Sequence, residues 1–177
     1  MRFNLGTGRL DGPWVTCRMS LDGTDCRIQE PRPFDRAWYS HKFKGPGLRY
    51  EVAVSIHNGW IVWVNGPFAC GSFPDLRIAR GGIQRRMDHG EKYIADGGYR
   101  DGGRFGLTPT GYNNYQEQLF AMIRARHETI NSRIKSWGAL GRTFRHSLDL
   151  HGQVFRSIAN IVQVTMEEET APFQVQY

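Results

Sequence analysis

The chain has 177 residues, 40% of them hydrophobic, and carries a formal net charge of +6 with a pI near 9.5. This size suits one domain with a buried core and is small for two. No stretch approaches the roughly 18 apolar residues of a membrane span, and the start has no apolar signal region, so we expect a soluble, intracellular protein.

The positive charge is concentrated in one part of the chain. Residues 116–146 contain six Arg or Lys and two acids. A surface of this kind favours an anionic partner such as nucleic acid, although a moderately basic pI alone is weak evidence. The three cysteines lack the spacing of a zinc site or a disulfide framework, so we expect buried or free thiols.

The first predicted element is a strand within residues 14–28, reaching the DGT sequence at Asp22. Residues 30–47 are rich in proline, glycine and charge, which predicts an exposed loop. Residues 50–66 then place Asn58 and Gly59 between two β-branched runs, which predicts a β-hairpin with a two-residue turn.

The next elements are a helix and a short strand. Ser72 is the expected helix cap, with Pro74 in the first turn. The sequence KYIADGGY predicts a buried strand that stops at Asp96, and the glycine-rich loop 97–111 follows it.

Two helices complete the chain. The first has an apolar face with residues at spacings of three and four: Leu119, Phe120, Ile123, Ile130, Ile134 and Trp137. The second, at about 151–166, is expected to bury Val154, Ile158, Ile161 and Val162, and the ending PFQVQY is expected to lie against the domain. The order of elements predicts a mixed α/β sheet with helices packed on it, an arrangement found in the ribonuclease H fold.

The sequence RARHETINSRIKSWG places one acid, Glu128, within a basic segment of the long helix. Arg124, Glu128 and Lys135 fall on one stripe of this helix. One interpretation is a helix salt bridge between Arg124 and Glu128, worth about 0.3–0.5 kcal/mol. The other is that Glu128 binds a divalent metal beside a polyanionic substrate.

Three further acids stand at the ends of predicted elements: Asp22, Asp75 and Asp96. Each has a structural interpretation as a turn residue or a helix N-terminal acid. Hydrolysis of a phosphodiester, however, needs Mg²⁺ or Mn²⁺ held by oxygen ligands from separate elements. Four acids suffice for two such ions.

Several segments resemble the motifs of DDE superfamily endonucleases of the PIF/Harbinger transposase type, over residues 17–166. They occur in the family's order: LDGTD, GPFACGSFPDLRI, YIADGGYR and RARHETINSRIKSWG. Arg124, Glu128 and Lys135 also match the R, E and K of the YREK signature of related bacterial insertion-sequence transposases. Ala121 stands where that signature has Tyr.

The resemblance implies a ribonuclease H-like catalytic core. Asp22 resembles the family's first catalytic Asp and Glu128 its catalytic Glu. Asp75 and Asp96 both match metal-linked positions, and strand order favours Asp96 as the second catalytic acid, with Asp75 as an accessory ligand. Asp25 is interpreted as a turn residue. The implied cofactor is Mg²⁺ or Mn²⁺, as two ions.

The implied substrate is DNA. Arg124 and Lys135, together with Arg126 and Arg133, are predicted to contact its phosphates, and Trp137 is predicted to belong to the core. The partners implied are transposon ends and target DNA, a separate Myb-like DNA-binding protein and a second copy of the chain. The nucleus is the implied location.

Residues 1–177 are predicted to form one DDE endonuclease domain. Only 21 residues precede Asp22, so the helix-turn-helix segment usual in the family is expected to be missing. The function expected is metal-dependent cleavage and strand transfer at transposon ends. The alternative is a domesticated or degenerate transposase-derived module that binds DNA or protein without cutting; a structural zinc protein lacks ligand spacing.

Overall fold

The computed structural model describes residues 17–109, 114–169 and 171–173, which form a mixed sheet flanked by helices. The strands are β1 (Cys17–Arg27), β2 (Tyr39–Ser40), β3 (Gly45–Ser55), β4 (Ile61–Ala69), β5 (Lys92–Ile94) and β6 (Gly106–Leu107). The helices are α1 (Asp75–Gly81), α2 (Asn114–Ser136), α3 (Gly138–Gly141) and α4 (Leu148–Glu168).

The strand β1 lies at the centre of the sheet. It pairs antiparallel with β3 on one side and parallel with β5 on the other. Strand β4 is antiparallel to β3, β6 is parallel to β5, and the short β2 pairs with the beginning of β3. An antiparallel hairpin followed by parallel strands, with helices packed on them, confirms the predicted ribonuclease H-like α/β fold.

The two faces of the sheet bury different cores, because alternate side chains of a strand point to opposite faces. Val52 and Val54 of β3 pack in one cluster with Ile130 of α2 and Phe155 of α4. Ala53 of the same strand faces α1 on the other side. Helix α2 therefore covers one face and α1 the other.

The predicted apolar face of α2 is buried at five of its six positions. Trp137 is the exception, with 43% of its surface exposed, so its assignment to the core was wrong. The reason is that α2 ends at Ser136 and the chain turns there into α3. Similarly, α4 buries Ile158 and Val162 but leaves Ile161 44% exposed.

Two connections differ from the sequence prediction. The hairpin closes through residues 56–60, with Ser55 N donating to Trp60 O at 2.8 Å, and not through a two-residue turn. Helix α1 starts after Pro74, and Ser72 does not cap it. Ser72 N donates instead to Ala69 O in the turn that follows β4.

Within 30–47, predicted as a loop, the structure forms β2 and the beginning of β3. Gly47 of β3 pairs with Arg27 of β1, a partner far away in sequence. Of the predicted C-terminal ending, residues 174–177 lie outside the described part of the chain. Pro172 is buried and lies against Gly59.

Two further predictions from the sequence concerned membrane-spanning segments and the state of the cysteines. Among the described residues, no helix is both long enough and apolar enough to cross a membrane. Cys17, Cys26 and Cys70 are free and buried, which confirms the prediction made from their spacing.

Candidate active site

Asp22 and Asp96 lie side by side because of the parallel register of β1 and β5. Ser20 pairs with Ile94, so two residues further along Asp22 and Asp96 reach the same level on strands about 4.8 Å apart. Strand β5 ends at Ile94, and Asp96 begins a short 3₁₀ turn in which its Oδ1 accepts from Gly98 N at 2.9 Å. Its backbone therefore leaves the sheet at the level of Asp22.

Two polar contacts hold α2 along β1 and place Glu128. His127 Nδ1 lies 2.8 Å from Ser20 Oγ, and Asn131 Nδ2 donates to Asp22 Oδ2 at 3.1 Å. Two residues of a strand span about 6.7 Å and four residues of a helix about 6 Å, so the two contacts match in spacing. Glu128 lies between them on the helix.

One small pocket brings three of the predicted acids together. Its volume is about 40 Å³, and its polar lining residues are Ser20, Asp22, Asp96, Arg124, His127 and Glu128. A cavity of roughly 10–15 Å³ holds one water, so this pocket has room for a few water-sized ligands. The central strand, the end of β5 and helix α2 thus each contribute a carboxylate.

Asp75 approaches the same region from the α1 face. A Cβ on Gly23, beside Asp22, would lie 2.5 Å from Asp75 Oδ1. A Cβ on Gly98 would lie 3.0 Å from Asp75 Oδ2 and 3.1 Å from Asp96 Oδ1. The absence of side chains at these glycines lets the Asp75 carboxylate reach the middle of β1 and the turn after β5, next to Asp96.

The acids act on one another electrostatically. Burial raises the pKa of Asp22, Lys42 opposes the rise, and the Asp96 carboxylate adds to it. Burial also raises the pKa of Asp75, where Arg49 and Lys42 oppose it and Asp96 and Asp22 add to it. Like charges held this close favour a bound cation.

Asp25 has a structural role that the sequence did not indicate. It was interpreted as a turn residue, which is wrong, because β1 continues through it to Arg27 and its side chain is buried. Arg49 donates to both of its oxygens, at 2.7 and 3.0 Å, and Ser40 Oγ donates at 2.5 Å. Burial alone would raise the pKa of Asp25, but the hydrogen bonds from Arg49 and Ser40 hold it below its usual range.

The same Arg49 pairs with Asp75, whose Oδ1 lies 3.1 Å from Arg49 Nη1. Among the described residues, no group of three or more His, Cys, Asp or Glu side chains is arranged to hold one metal ion. The donors nevertheless suit Mg²⁺ or Mn²⁺, because these ions prefer carboxylate oxygens and keep several waters. The types of side chain therefore suit these ions. Among the described residues, however, their oxygens do not surround one ion position in this conformation.

The predicted phosphate contacts fall into two groups. Arg124 is exposed at the pocket, and Arg133 and Lys135 are half-buried. Arg126 needs correction, because its side chain is 1% exposed and its Nη2 donates to the carbonyl oxygens of Ser55 and Ile56. Arg126 lies on the side of α2 that faces the sheet, and its side chain binds the backbone where the β3–β4 connection begins. It therefore cannot reach a phosphate at the surface.

The alternative for Glu128 was a helix salt bridge with Arg124. Within the described part of the chain, no ion pair joins these two residues, and both side chains are exposed.

Sequence reasoning missed the residues that support the acids: Ser20, Arg49, His127 and Asn131. Each makes its key contact with a residue at least 24 positions away. No local pattern signals such a contact, because His127 lies on the buried apolar face of α2, four positions after Ile123 and three before Ile130, where spacing alone predicts a core position.

The order of the strands, the packing of the helices and the acids in the middle of β1 and just beyond the end of β5 define an α/β domain of the ribonuclease H-like class. A comparison with protein families matches residues 21–166 to DDE superfamily endonuclease. The chain therefore belongs to the DDE superfamily endonuclease family, whose members generally use divalent metal ions. Comparison with curated proteins and with solved structures found no match.

Proposed function

We propose that the chain is the catalytic domain of a Harbinger-type DDE transposase, which hydrolyses phosphodiesters at transposon ends and transfers the freed 3′ end to target DNA. One observation carries the proposal: Asp22, Asp96 and Glu128 belong to three separate elements and line one pocket. Oxygen ligands converging from separate elements are what metal-assisted phosphodiester hydrolysis needs.

In this proposal Asp22, Asp96 and Glu128 hold two divalent ions, with Asp75 as an accessory ligand. When bound, the ions activate the attacking oxygen and stabilise the leaving oxygen. The chain orients Asp22 through two donors, Gly23 N at 2.7 Å from Oδ1 and Asn131 Nδ2 at 3.1 Å from Oδ2.

Two further groups act around the pocket. Arg124 is exposed beside the acids and binds the phosphates, and Lys135, whose charge acts on Asp22, contributes with it. Burial lowers the pKa of His127 to about 3, so this imidazole stays neutral and serves as a hydrogen-bonding group.

The Harbinger subtype brings further proposals: one endonuclease domain over residues 1–177, DNA as the partner, action with a separate Myb-like protein, self-association and a nuclear location. A second function, DNA or protein binding without cleavage, is favoured by the ion pair of Asp75 with Arg49, which occupies a predicted metal ligand.

Cleavage of supercoiled plasmid DNA with Mn²⁺ or Mg²⁺ tests the two functions. We expect the wild-type chain to nick the plasmid, and Glu128→Gln or Asp22→Asn to reduce the rate at least about 100-fold, because the metal ligands are lost. Glu117→Gln is the matched control, since Glu117 is exposed on the same helix. DNA binding without metal-dependent nicking by the wild type would instead support the binding module.

A further inference from the structure

A groove lies beyond the C-terminal end of β1. The next residue, Ile28, forms a parallel bridge with Phe144, while Phe144 N donates to Arg27 O and Gln29 N to Phe144 O, both at 2.9 Å. These bonds anchor the segment between α3 and α4 against β1 and bring Arg145 next to Arg27. The groove measures about 370 Å³, and its lining residues are Arg27, Ile28, Gln29, Glu30, Pro46, Thr143 and Arg145.

Neighbouring groups fix the position of one arginine side chain in the groove, that of Arg27. The guanidinium of Arg27 lies 4.3 Å above the ring of Phe43, and its Nη2 donates to Phe43 O at 3.3 Å. Arg145 also lines the groove and is exposed. Glu30 is the acid among the lining residues, so arginine outnumbers acid, and Arg27 is pre-positioned for an anion.

The groove and the acid pocket belong to the same strand. Asp22 precedes Arg27 by five residues of β1, so their backbone positions are about 17 Å apart and, because the number is odd, their side chains leave the strand on opposite faces. Burial raises the pKa of Asp22 and that of the Cys26 thiol, and the charge of Lys135 opposes the rise at both. A positive charge from α2 therefore acts on β1 both at Asp22 and at the residue before Arg27.

We propose that this groove binds the backbone phosphates of duplex DNA on one side of the cleavage position, about five base pairs from it. The distance follows from the 17 Å separation and the roughly 3.4 Å between successive phosphates along the axis of one strand. The proposal rests on the proposed function, because it takes the acid pocket as the place of cleavage. Phosphate contacts of this kind supply affinity and register and carry no sequence information.

Salt titration of duplex binding by the intact chain tests the groove. For Arg27→Ala combined with Arg145→Ala, we expect the slope of log K against log salt to flatten by about 1.8, since each phosphate contact contributes about 0.9. Arg145→Ala alone should flatten it by about 0.9, and this exposed substitution leaves the Arg27 contacts with Phe43 intact.

The matched control removes the same charge from another groove. Its lining residues, on the α1 side of the sheet, are Arg80, Gln84, Arg85, Asp101, Arg104 and Phe105. We expect Arg80→Ala combined with Arg85→Ala to leave the slope unchanged. The proposal that the groove binds phosphates would be overturned by an unchanged slope in the Arg27 and Arg145 variants. An equal flattening of the slope in the control variant would also overturn it.

Kinetics separate this inference from the proposed function. If the chain cleaves DNA, the double groove variant should raise KM and keep kcat within about twofold, because its residues bind remote phosphates. A loss of kcat with unchanged KM would overturn the groove as a remote binding surface. If the wild type does not cleave DNA but the groove variants still flatten the slope of log K against log salt, the proposed function is wrong, whereas phosphate binding by the groove is supported.

Discussion

Arg124 and Arg126 are two positions apart on α2 and point in different directions. Arg124 is exposed at the acid pocket, whereas Arg126 is buried and donates to the backbone carbonyls of Ser55, the last residue of β3, and Ile56. We expect Arg126→Ala to lower the free energy of unfolding by about 1–3 kcal/mol, because buried acceptors lose their donor. Arg124→Ala should change it by less than about 0.5 kcal/mol.

Urea unfolding followed by circular dichroism measures both variants. Equal stability losses would contradict the different roles of the two arginines. Arg124→Ala should in addition flatten the salt dependence of DNA binding by about 0.9, as expected for one phosphate contact.

Glu51 is a buried acid outside the proposed metal ligands. Its side chain is fully buried on β3, and Trp63 Nε1 donates to Oε2 at 2.9 Å. Burial raises the pKa of Glu51 to about 7, although the bond from Trp63 opposes the rise. The folded chain therefore holds this proton more tightly than the unfolded chain does.

The sign of the pH effect follows from this difference. Between about pH 4.5 and 7 the folded state binds more protons, so the contribution of Glu51 to stability falls as pH rises through this window. Glu51→Gln keeps an acceptor for Trp63 and removes the titration. We expect it to raise stability relative to wild type at pH 8, on the order of 1–3 kcal/mol, and by much less at pH 5. Urea unfolding at both pH values checks this, and an equal change at both would contradict it.

At the scale of elements, helix α2 carries the site because it is attached to β1 at two points. The contact of Asn131 with Asp22 leaves the carboxylate oriented by donors on both oxygens. We expect Asn131→Ala to weaken Mn²⁺ binding and cleavage by about 10–100-fold, the usual cost of losing a group that orients a metal ligand.

Isothermal titration with Mn²⁺ measures this effect, with Ser132→Ala as the control because Ser132 is the exposed neighbour on α2. A loss of thermal stability alone, with Mn²⁺ affinity kept, would assign Asn131 to packing and not to the orientation of Asp22.

At the scale of the whole molecule, the buried carboxylates of Asp22 and Asp75 come from different elements, and the charge of Asp96 raises the pKa of both further. A divalent ion that binds only the folded chain raises stability by mass action, by about 2.7 kcal/mol at one hundred times Kd. We therefore expect millimolar Mg²⁺ or Mn²⁺ to raise Tm, and Asp22→Asn combined with Glu128→Gln to abolish this shift. Differential scanning fluorimetry measures it, and a Tm unaffected by either ion would favour the module without cleavage.

Sequence periodicity predicted those features that depend on near neighbours. Five of the six apolar positions of α2 are buried as expected, because residues three and four apart share one side of a helix wherever it docks. The failures occur where an element ends. Trp137 extends the pattern by one step but lies beyond Ser136, and the spacing of residues contains no information about where tertiary packing stops the helix.

The acids illustrate the boundary between sequence and structure. Residue types, their order and the family resemblance were sufficient to select Asp22, Asp75, Asp96 and Glu128 and to predict the fold class. Only the tertiary structure decided that Asp22 and Asp96 lie level, because this depends on the register of β1 with β5. It also decided that Arg49 engages Asp75, a contact between side chains from different elements. Local preferences act through neighbours along the chain, whereas register and side-chain pairing depend on residues that only folding brings together.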